Sequence, residues 1–306
     1  MDYSLDDAKD KLRWANSHFE RVAAAIKGFE EGEIHRFSVE IDANEGKYTF
    51  YVHDLEPVDP DWSLILGDWI HNARTALDYL MVQLYAMVTS TDPREVKGVS
   101  FPISESPDGF KALRGVAEAR KHLAFSGYLT RIEELQPYNA LNPSIWPITI
   151  APGQPLTRSP GSSLSLLNRL DIRDKHRALH ATRAAISIGG ALASIQGLHW
   201  PSDFVQIGSG GGKYGPLVDD TEVGNWTFAT PLPSEWEPTQ VEMQSCFPLE
   251  VAADQTPPFI EQPVAVVVPP CLWAVEQVLR LFEPVFAGEG PPLPVSAIQP
   301  FAGRVL

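Results

Sequence analysis

The chain has 306 residues, of which 44% are hydrophobic and 21% are charged, and this composition excludes a disordered protein. Its 24 Lys and Arg residues are outnumbered by 39 Asp and Glu residues, and the net charge of −15 disfavours nonspecific coating of nucleic acid. Two cysteines are too few for a disulfide scaffold, and no charged and apolar leader opens the sequence, so we expect a cytoplasmic protein without a membrane span.

The first third of the chain predicts two long helices with a hairpin between them. Apolar residues at spacings of three and four over 5–31 predict an amphipathic helix. Alternating apolar and polar residues over 34–53, interrupted by turn residues at 44–46, predict a β-hairpin. Helical spacing then resumes over 62–88, just after the start signal around Pro60.

The middle of the chain predicts further helices separated by a proline-rich segment. Helical spacing runs over 108–135, with a break expected near 126–127. Six prolines in 136–160 are incompatible with one regular element and predict a loop or lid. A further helix is predicted from Ser163 to the glycines at 189–190.

The last third predicts a β-rich portion, about 191–268, and a closing helix. A helix over 271–286 is expected because Pro269 and Pro270 precede a helical pattern. Short alternating runs predict strands around 191–195, 205–207, 226–230, 241–247 and 265–268.

Together these elements predict an α+β fold that spans 1–306 as a single domain. A bundle of about four to five helices, mostly within 1–190, is expected to pack with an antiparallel sheet. That sheet would be formed by the N-terminal hairpin and the C-terminal strands.

Two predicted helices carry charged and imidazole side chains on one face. Residues three and seven positions apart on a helix share a face, and two sets have this spacing. If the two helices are neighbours, all six side chains can meet in one cleft: His71, Arg74, Asp78, Arg173, His176 and His180. The segment 169–183 has a local net charge of +3, which offers an anionic ligand a landing site in an acidic chain.

The sequence blocks around these residues resemble a known group of proteins. The blocks are GDWIHNARTALDYL at 67–80 and LNRLDIRDKHRALH at 167–180, with FPI at 101–103 and LQPYN at 135–139 between them. They resemble a family of uncharacterised bacterial and phage proteins. The resemblance covers about residues 60–180 and implies no established activity.

A second, shorter resemblance is to the HEPN-type helical ribonucleases. Arg173, Asp174 and, after six intervening positions from the arginine, His180 are similar to the Arg-polar-His motif of that family. This resemblance implies RNA cleavage without a metal or cofactor at a homodimer interface. Arg173 would stabilise the phosphate and His180 would transfer protons.

The same residue types allow other interpretations. Histidine transfers protons near neutral pH and arginine binds phosphate, so RNA or another phosphate-bearing ligand is the expected partner. Alternatively, the Arg, His and Asp residues form a structural network in a non-catalytic binding or regulatory protein. A third interpretation takes His176 and His180 as a metal-ligand pair completed by His71 or Asp78. No Gly-x-Ser-x-Gly elbow occurs, which disfavours a serine hydrolase.

Overall fold

The structure is a computed structural model of the chain, and it describes residues 3–30, 36–42, 44–54, 59–142, 159–176, 182–186, 206–210, 220–228, 249–252, 264–298 and 301. The strands predicted at 191–195 and 241–247 lie outside these residues. So do positions 143–158 of the predicted loop.

Helices make up most of the described residues. The α-helices are α1 (Asp6–Glu30), α2 (Asp61–Thr89), α3 (Pro107–Ala112), α4 (Arg114–Ala119), α5 (Ser126–Glu134), α6 (Pro160–His176) and α7 (Val264–Phe286). The strands are β1 (Arg36–Asp42), β2 (Lys47–His53), β3 (Thr182–Ile186), β4 (Gln206–Gly210), β5 (Thr221–Phe228) and β6 (Leu249–Ala252). None of the described helices combines the length and apolar character needed to cross a membrane.

The chain divides into two compact units. The first, which we call the helical unit, comprises Met1–Val22, Leu64–Leu179 and Ala265–Leu306. The second unit comprises Ala23–Ser63 and His180–Val264. Every strand of the described residues belongs to the second unit.

The predicted α+β class, with four to five helices packed on a sheet, is wrong because the structure is mostly helical. Among the described residues there are seven α-helices, and they hold about three times as many residues as the strands. The helical stretch predicted over 108–135, with a break near 126–127, contains three of them, α3 to α5, and α5 begins at Ser126. The division into one folding domain stays a prediction.

The core of the helical unit is built around α2, which runs one residue beyond its predicted bounds at each end. Its buried stripe repeats at spacings of three and four, and each member is at most 3% exposed: Leu66, Trp69, Ala73, Leu77 and Leu80. Burying a large apolar side chain contributes about 1.5–3 kcal/mol, so this stripe fixes the orientation of α2 in the core.

The C-terminal helix differs from the prediction. The strand predicted at 265–268 and the helix predicted at 271–286 are one helix, α7, which runs through Pro269 and Pro270. Val264, Val267 and Val268 are almost fully buried at helical spacing. Their burial offsets the hydrogen bonds that the two prolines cannot donate.

The helix predicted from Ser163 to 189–190 is also shorter than expected. The structure has α6 over Pro160–His176, and Thr182–Ile186 forms β3, which pairs antiparallel with β6. Thr182 and Ile186 are β-branched, a type enriched in strands, and the alanines between them are compatible with either structure.

In the second unit, the strands β1, β2, β5 and β4 are adjacent in that order, and each neighbouring pair is antiparallel. The turn between β1 and β2 is closed by the Asp42 carboxylate, which accepts hydrogen bonds from the N–H groups of Asn44 and Glu45 at 2.9 and 3.1 Å. Gly46 follows with φ at 61°, a conformation that glycine adopts without strain. Alternation along β1 and β2 places Ser38, Glu40, Tyr51 and His53 on one face.

Two glycines at the same position of two helices provide a matched test of packing. A Cβ on Gly161, the second residue of α6, would lie 2.8 Å from the carbonyl oxygen of Gln136, whereas one on Gly127, the second residue of α5, meets nothing within 4 Å. We expect Gly161→Ala to lower the free energy of unfolding in urea by about 1–3 kcal/mol, because backbone must move. Gly127→Ala should leave it unchanged or raise it slightly. Equal effects of the two substitutions would contradict close packing at Gly161.

Candidate functional site

The two helices that carry the predicted site residues are neighbours. A Cβ on Gly67 of α2 would lie 2.7 Å from Oδ1 of Asp174 on α6. The Asp174 carboxylate therefore lies directly against the backbone of α2, in space that any larger residue at position 67 would fill. The last turn of α6 is thereby held against the second turn of α2.

Arg74 and Asp78 bind each other and the backbone of Phe101, an interaction that we call the Arg74–Asp78 clamp. Nη1 of Arg74 donates to Oδ1 of Asp78 at 2.7 Å, and Nη2 donates to the carbonyl oxygen of Phe101 at 2.6 Å. The N–H of Phe101 donates in turn to Oδ1 of Asp78 at 2.8 Å. The clamp thus provides hydrogen-bond partners for both the N–H and the carbonyl group of Phe101, a fully buried residue.

Burial decides what the clamp contributes. The side chain of Arg74 is 11% exposed and that of Asp78 is 33% exposed. A largely buried guanidinium needs a paired carboxylate and further acceptors to offset its desolvation, and the clamp supplies both. Each charged group is therefore occupied in holding the segment after α2 onto the helix.

Gln136 performs the same task for the residues that follow Phe101. Its side chain is fully buried, and its Nε2 donates to the carbonyl oxygens of Pro102 and Ile132, both at 2.9 Å. Its Oε1 accepts from the N–H of Ser104 at 2.9 Å. All strong hydrogen-bonding groups of the amide are thus used. In the sequence, this residue is part of LQPYN, and no charge or spacing marks its role.

The other polar residues of that block stabilise the end of α5. Nδ2 of Asn139 donates to the carbonyl oxygen of Glu133 at 2.8 Å, and Oη of Tyr138 donates to the Glu133 carboxylate at 3.1 Å. Burial, together with the neighbouring Glu133 charge, strongly raises the pKa of the Tyr138 hydroxyl. The hydroxyl therefore remains a protonated donor at neutral pH.

These contacts also show what lies against each end of α6. Gly161, at its start, lies against the carbonyl oxygen of Gln136, and Gln136 is bonded to residues next to the clamp, in the middle of α2. Asp174, near its end, lies against Gly67, about two turns closer to the start of α2. The two ends of α6 therefore lie against different parts of the helical unit.

The structure brings only some of the predicted site residues together. His71 is exposed on α2, and Arg173 is half-buried on α6, one residue before the contact at Gly67. His176 is the last residue of α6. The side chain of His176 and all of His180 lie outside the described residues. The structure thus brings Arg74 and Asp78 together but does not describe the Arg173–His180 pair.

Among the described residues, no group of three or more His, Cys, Asp or Glu side chains has an arrangement that could hold a metal ion. The side chains of the predicted metal pair, His176 and His180, lie outside the described residues. The metal interpretation therefore stays a prediction.

Comparisons of the chain with models of protein families, with curated proteins and with solved structures find no match. The resemblances to bacterial and phage proteins and to HEPN-type ribonucleases therefore stay predictions from the residues that carry them.

The clamp predicts non-additive losses of stability. Asp78→Ala leaves the Arg74 guanidinium and the Phe101 N–H without their acceptor, and we expect a loss of about 1–3 kcal/mol in the free energy of unfolding. Arg74→Met should cost a similar amount, and the double variant should cost less than the sum by about 1–2 kcal/mol. Urea denaturation of the single and double variants measures this coupling.

Arg94→Ala is the control, because the side chain of Arg94 is 89% exposed and forms an ion pair at the surface with Asp92. Its stability should be close to that of the unmodified chain. Additive losses at positions 74 and 78, or losses no larger than that of the control, would show that the clamp is not structural.

Proposed function

We propose that the chain binds or cleaves RNA, without a metal ion, through Arg173 and His176 in the last turn of α6 and through His180, which follows them in the sequence. The observation that carries this proposal is the contact of Asp174 with Gly67. This contact holds the last turn of α6 against α2, so the backbone of the half-buried Arg173 has a fixed position. A positioned guanidinium binds a phosphate with a smaller entropic cost than a freely moving one.

Charge supports the same location. The segment 169–183 carries five basic and two acidic residues, while the chain as a whole has a net charge of −15. An acidic protein repels RNA in general, so binding is confined to places where positive charge is concentrated. Arg169 is exposed on the same helix and lies 3.6 Å from Glu105, which partly neutralises it. Arg173, one turn further along α6, is the phosphate ligand of this proposal.

Cleavage without a metal follows from ordinary RNA chemistry. The ribose 2′-hydroxyl attacks the adjacent phosphorus, its proton passes to a base, and the 5′-oxygen of the next nucleotide leaves with a proton from an acid. His180 is the proposed proton-transfer residue, as the HEPN resemblance implies, and Arg173 offsets the charge that develops on the phosphate. A homodimer would bring two such sites together and is part of this proposal.

The site is smaller than the six residues predicted from sequence. Arg74 and Asp78 are occupied in the clamp and are not assigned to RNA. His71 is exposed one helical turn from Gly67, so it is placed at the margin of the site, where it can contact a bound phosphate.

A second candidate is a non-catalytic binding or regulatory protein. The observation that favours it is the clamp itself, because two of the six predicted residues, Arg74 and Asp78, are structural. In that case α6 would bind its ligand without cleaving it.

The proposal predicts that Arg173→Ala weakens binding of a fluorescently labelled single-stranded RNA by about 10- to 100-fold, the usual effect of losing a charged hydrogen bond. Arg169→Ala is the matched control on the same helix and should change affinity less than threefold by the general loss of one charge. Fluorescence anisotropy at one fixed salt concentration measures both.

His180→Ala separates the two candidates. RNA cleavage in the presence of EDTA that is lost in His180→Ala, while binding is retained, identifies a ribonuclease. RNA binding without cleavage in the unmodified chain identifies the non-catalytic protein. If Arg173→Ala and Arg169→Ala weaken binding equally, or if no RNA binds, the site at the end of α6 is wrong.

A further inference from the structure

Three polar side chains of the second unit form a continuous hydrogen-bonded chain. Oγ of Ser38 lies 2.6 Å from Nε2 of His53, and Nδ1 of the same ring lies 2.6 Å from Oδ1 of Asp220. The serine and the carboxylate thus occupy opposite nitrogens of one imidazole. This is the order in which a histidine removes a proton from a serine while a carboxylate fixes its tautomer.

The sheet register creates this arrangement. His53 is opposite Arg36 on β1, so Ser38 is its diagonal neighbour on the same face. On the other side, Val52 pairs with Thr221 of β5, which places the preceding Asp220 beside His53. Asp220 has φ at 62°, a left-handed conformation that aspartate tolerates better than most residues.

The chain of hydrogen bonds is open to a ligand at its serine end. Ser38 is half-buried, and the ring of His53 is 19% exposed, so the imidazole is fixed between its two partners but not sealed. The Asp220 side chain is 82% exposed and holds the imidazole ring from the side that faces solvent. A nucleophile needs such a combination of a fixed base and an accessible oxygen.

We propose that Ser38, His53 and Asp220 form an acyl-transfer site that takes carboxylic esters. Oγ of Ser38 attacks the ester carbonyl carbon as its proton passes to Nε2 of His53, and the alcohol leaves with that proton as the C–O bond breaks. Water then attacks the acyl-serine, and the carboxylic acid and free serine are released. Asp220 is a positioning residue that holds the imidazole through Nδ1.

Such a site also needs donors for the oxygen that becomes negative during attack. In the order β1-β2-β5-β4, β1 is the first strand, so one of its edges has no partner among the described strands. In this proposal, N–H groups on that edge stabilise the oxyanion, in the same strand that carries the nucleophile.

The charge around the serine selects the substrate. Glu40, on the same face, accepts a hydrogen bond from Oη of Tyr51 at 3.1 Å, and Glu222 is opposite Tyr51 on β5. Two carboxylates beside Ser38 and His53 repel anionic groups. The site is therefore assigned to neutral or cationic esters.

An alkyl fluorophosphonate tests the nucleophile directly, because a serine activated by histidine displaces its fluoride and keeps the phosphonyl group. We expect the full chain to gain one label, mapped to Ser38 by peptide mass spectrometry. Ser38→Ala should abolish the label, and His53→Gln should slow labelling by about 100-fold or more. Asp220→Asn should slow it by about tenfold or more. Ser17→Ala, at an exposed serine of α1, is the matched control and should label normally.

Circular dichroism spectra and thermal midpoints equal to those of the unmodified chain show that each variant is folded. Hydrolysis of 4-nitrophenyl acetate should be faster than that of its anionic succinyl analogue and should depend on the same three residues. No label at Ser38, labelling spread over several serines, or unchanged labelling in a folded His53→Gln variant would overturn the proposal. RNA binding is a separate measurement and does not affect this outcome.

Discussion

The helical unit depends on how the backbone of residues 101–104 is satisfied. Phe101 is fully buried, and a buried N–H or carbonyl group without a partner costs about 1–3 kcal/mol. Among the described residues, the backbone groups of 101–104 make no hydrogen bond to another backbone group, so side chains must supply the hydrogen bonds. Arg74 and Asp78 do so for Phe101, and Gln136 does so for Pro102 and Ser104. Through these contacts α2, α5 and the start of α6 are joined across one irregular segment.

This constraint changes the meaning of the resembling blocks. The arginine and aspartate of the 67–80 block bind the phenylalanine of FPI, and the glutamine of LQPYN binds the residues that follow it. Polar residues with such partners are required by the fold whatever the chain does. A shared pattern of these blocks therefore indicates a shared architecture. Function is better sought toward the end of α6, where the 167–180 block concentrates positive charge.

Elements with an uninterrupted apolar stripe were predictable, and elements decided by tertiary packing were not. The stripe of α2 specifies its length to within a residue at each end because every buried position follows helical spacing. In α7 the same spacing begins at Val264, but Pro269 and Pro270 indicate a helix start, and only core burial decides against them. For the site, spacing predicted that Arg74 and Asp78 share a face. It could not indicate that Phe101 would occupy them.

In the second unit, side chains that are far apart in the sequence are in contact, and no sequence motif indicates that contact. The sequence places Ser38 and His53 fifteen positions apart and Asp220 a further 167 away, so no local motif relates them. Their contact depends on strand register, since a shift of one residue in β1 would move Ser38 to the other face of the sheet, and a shift in β5 would move Asp220, which directly precedes that strand, away from His53. The absence of a Gly-x-Ser-x-Gly elbow excludes one way of presenting a serine, in which a turn exposes the nucleophile. It does not bear on a serine whose histidine and carboxylate come from neighbouring strands, because there the sheet itself fixes all three side chains.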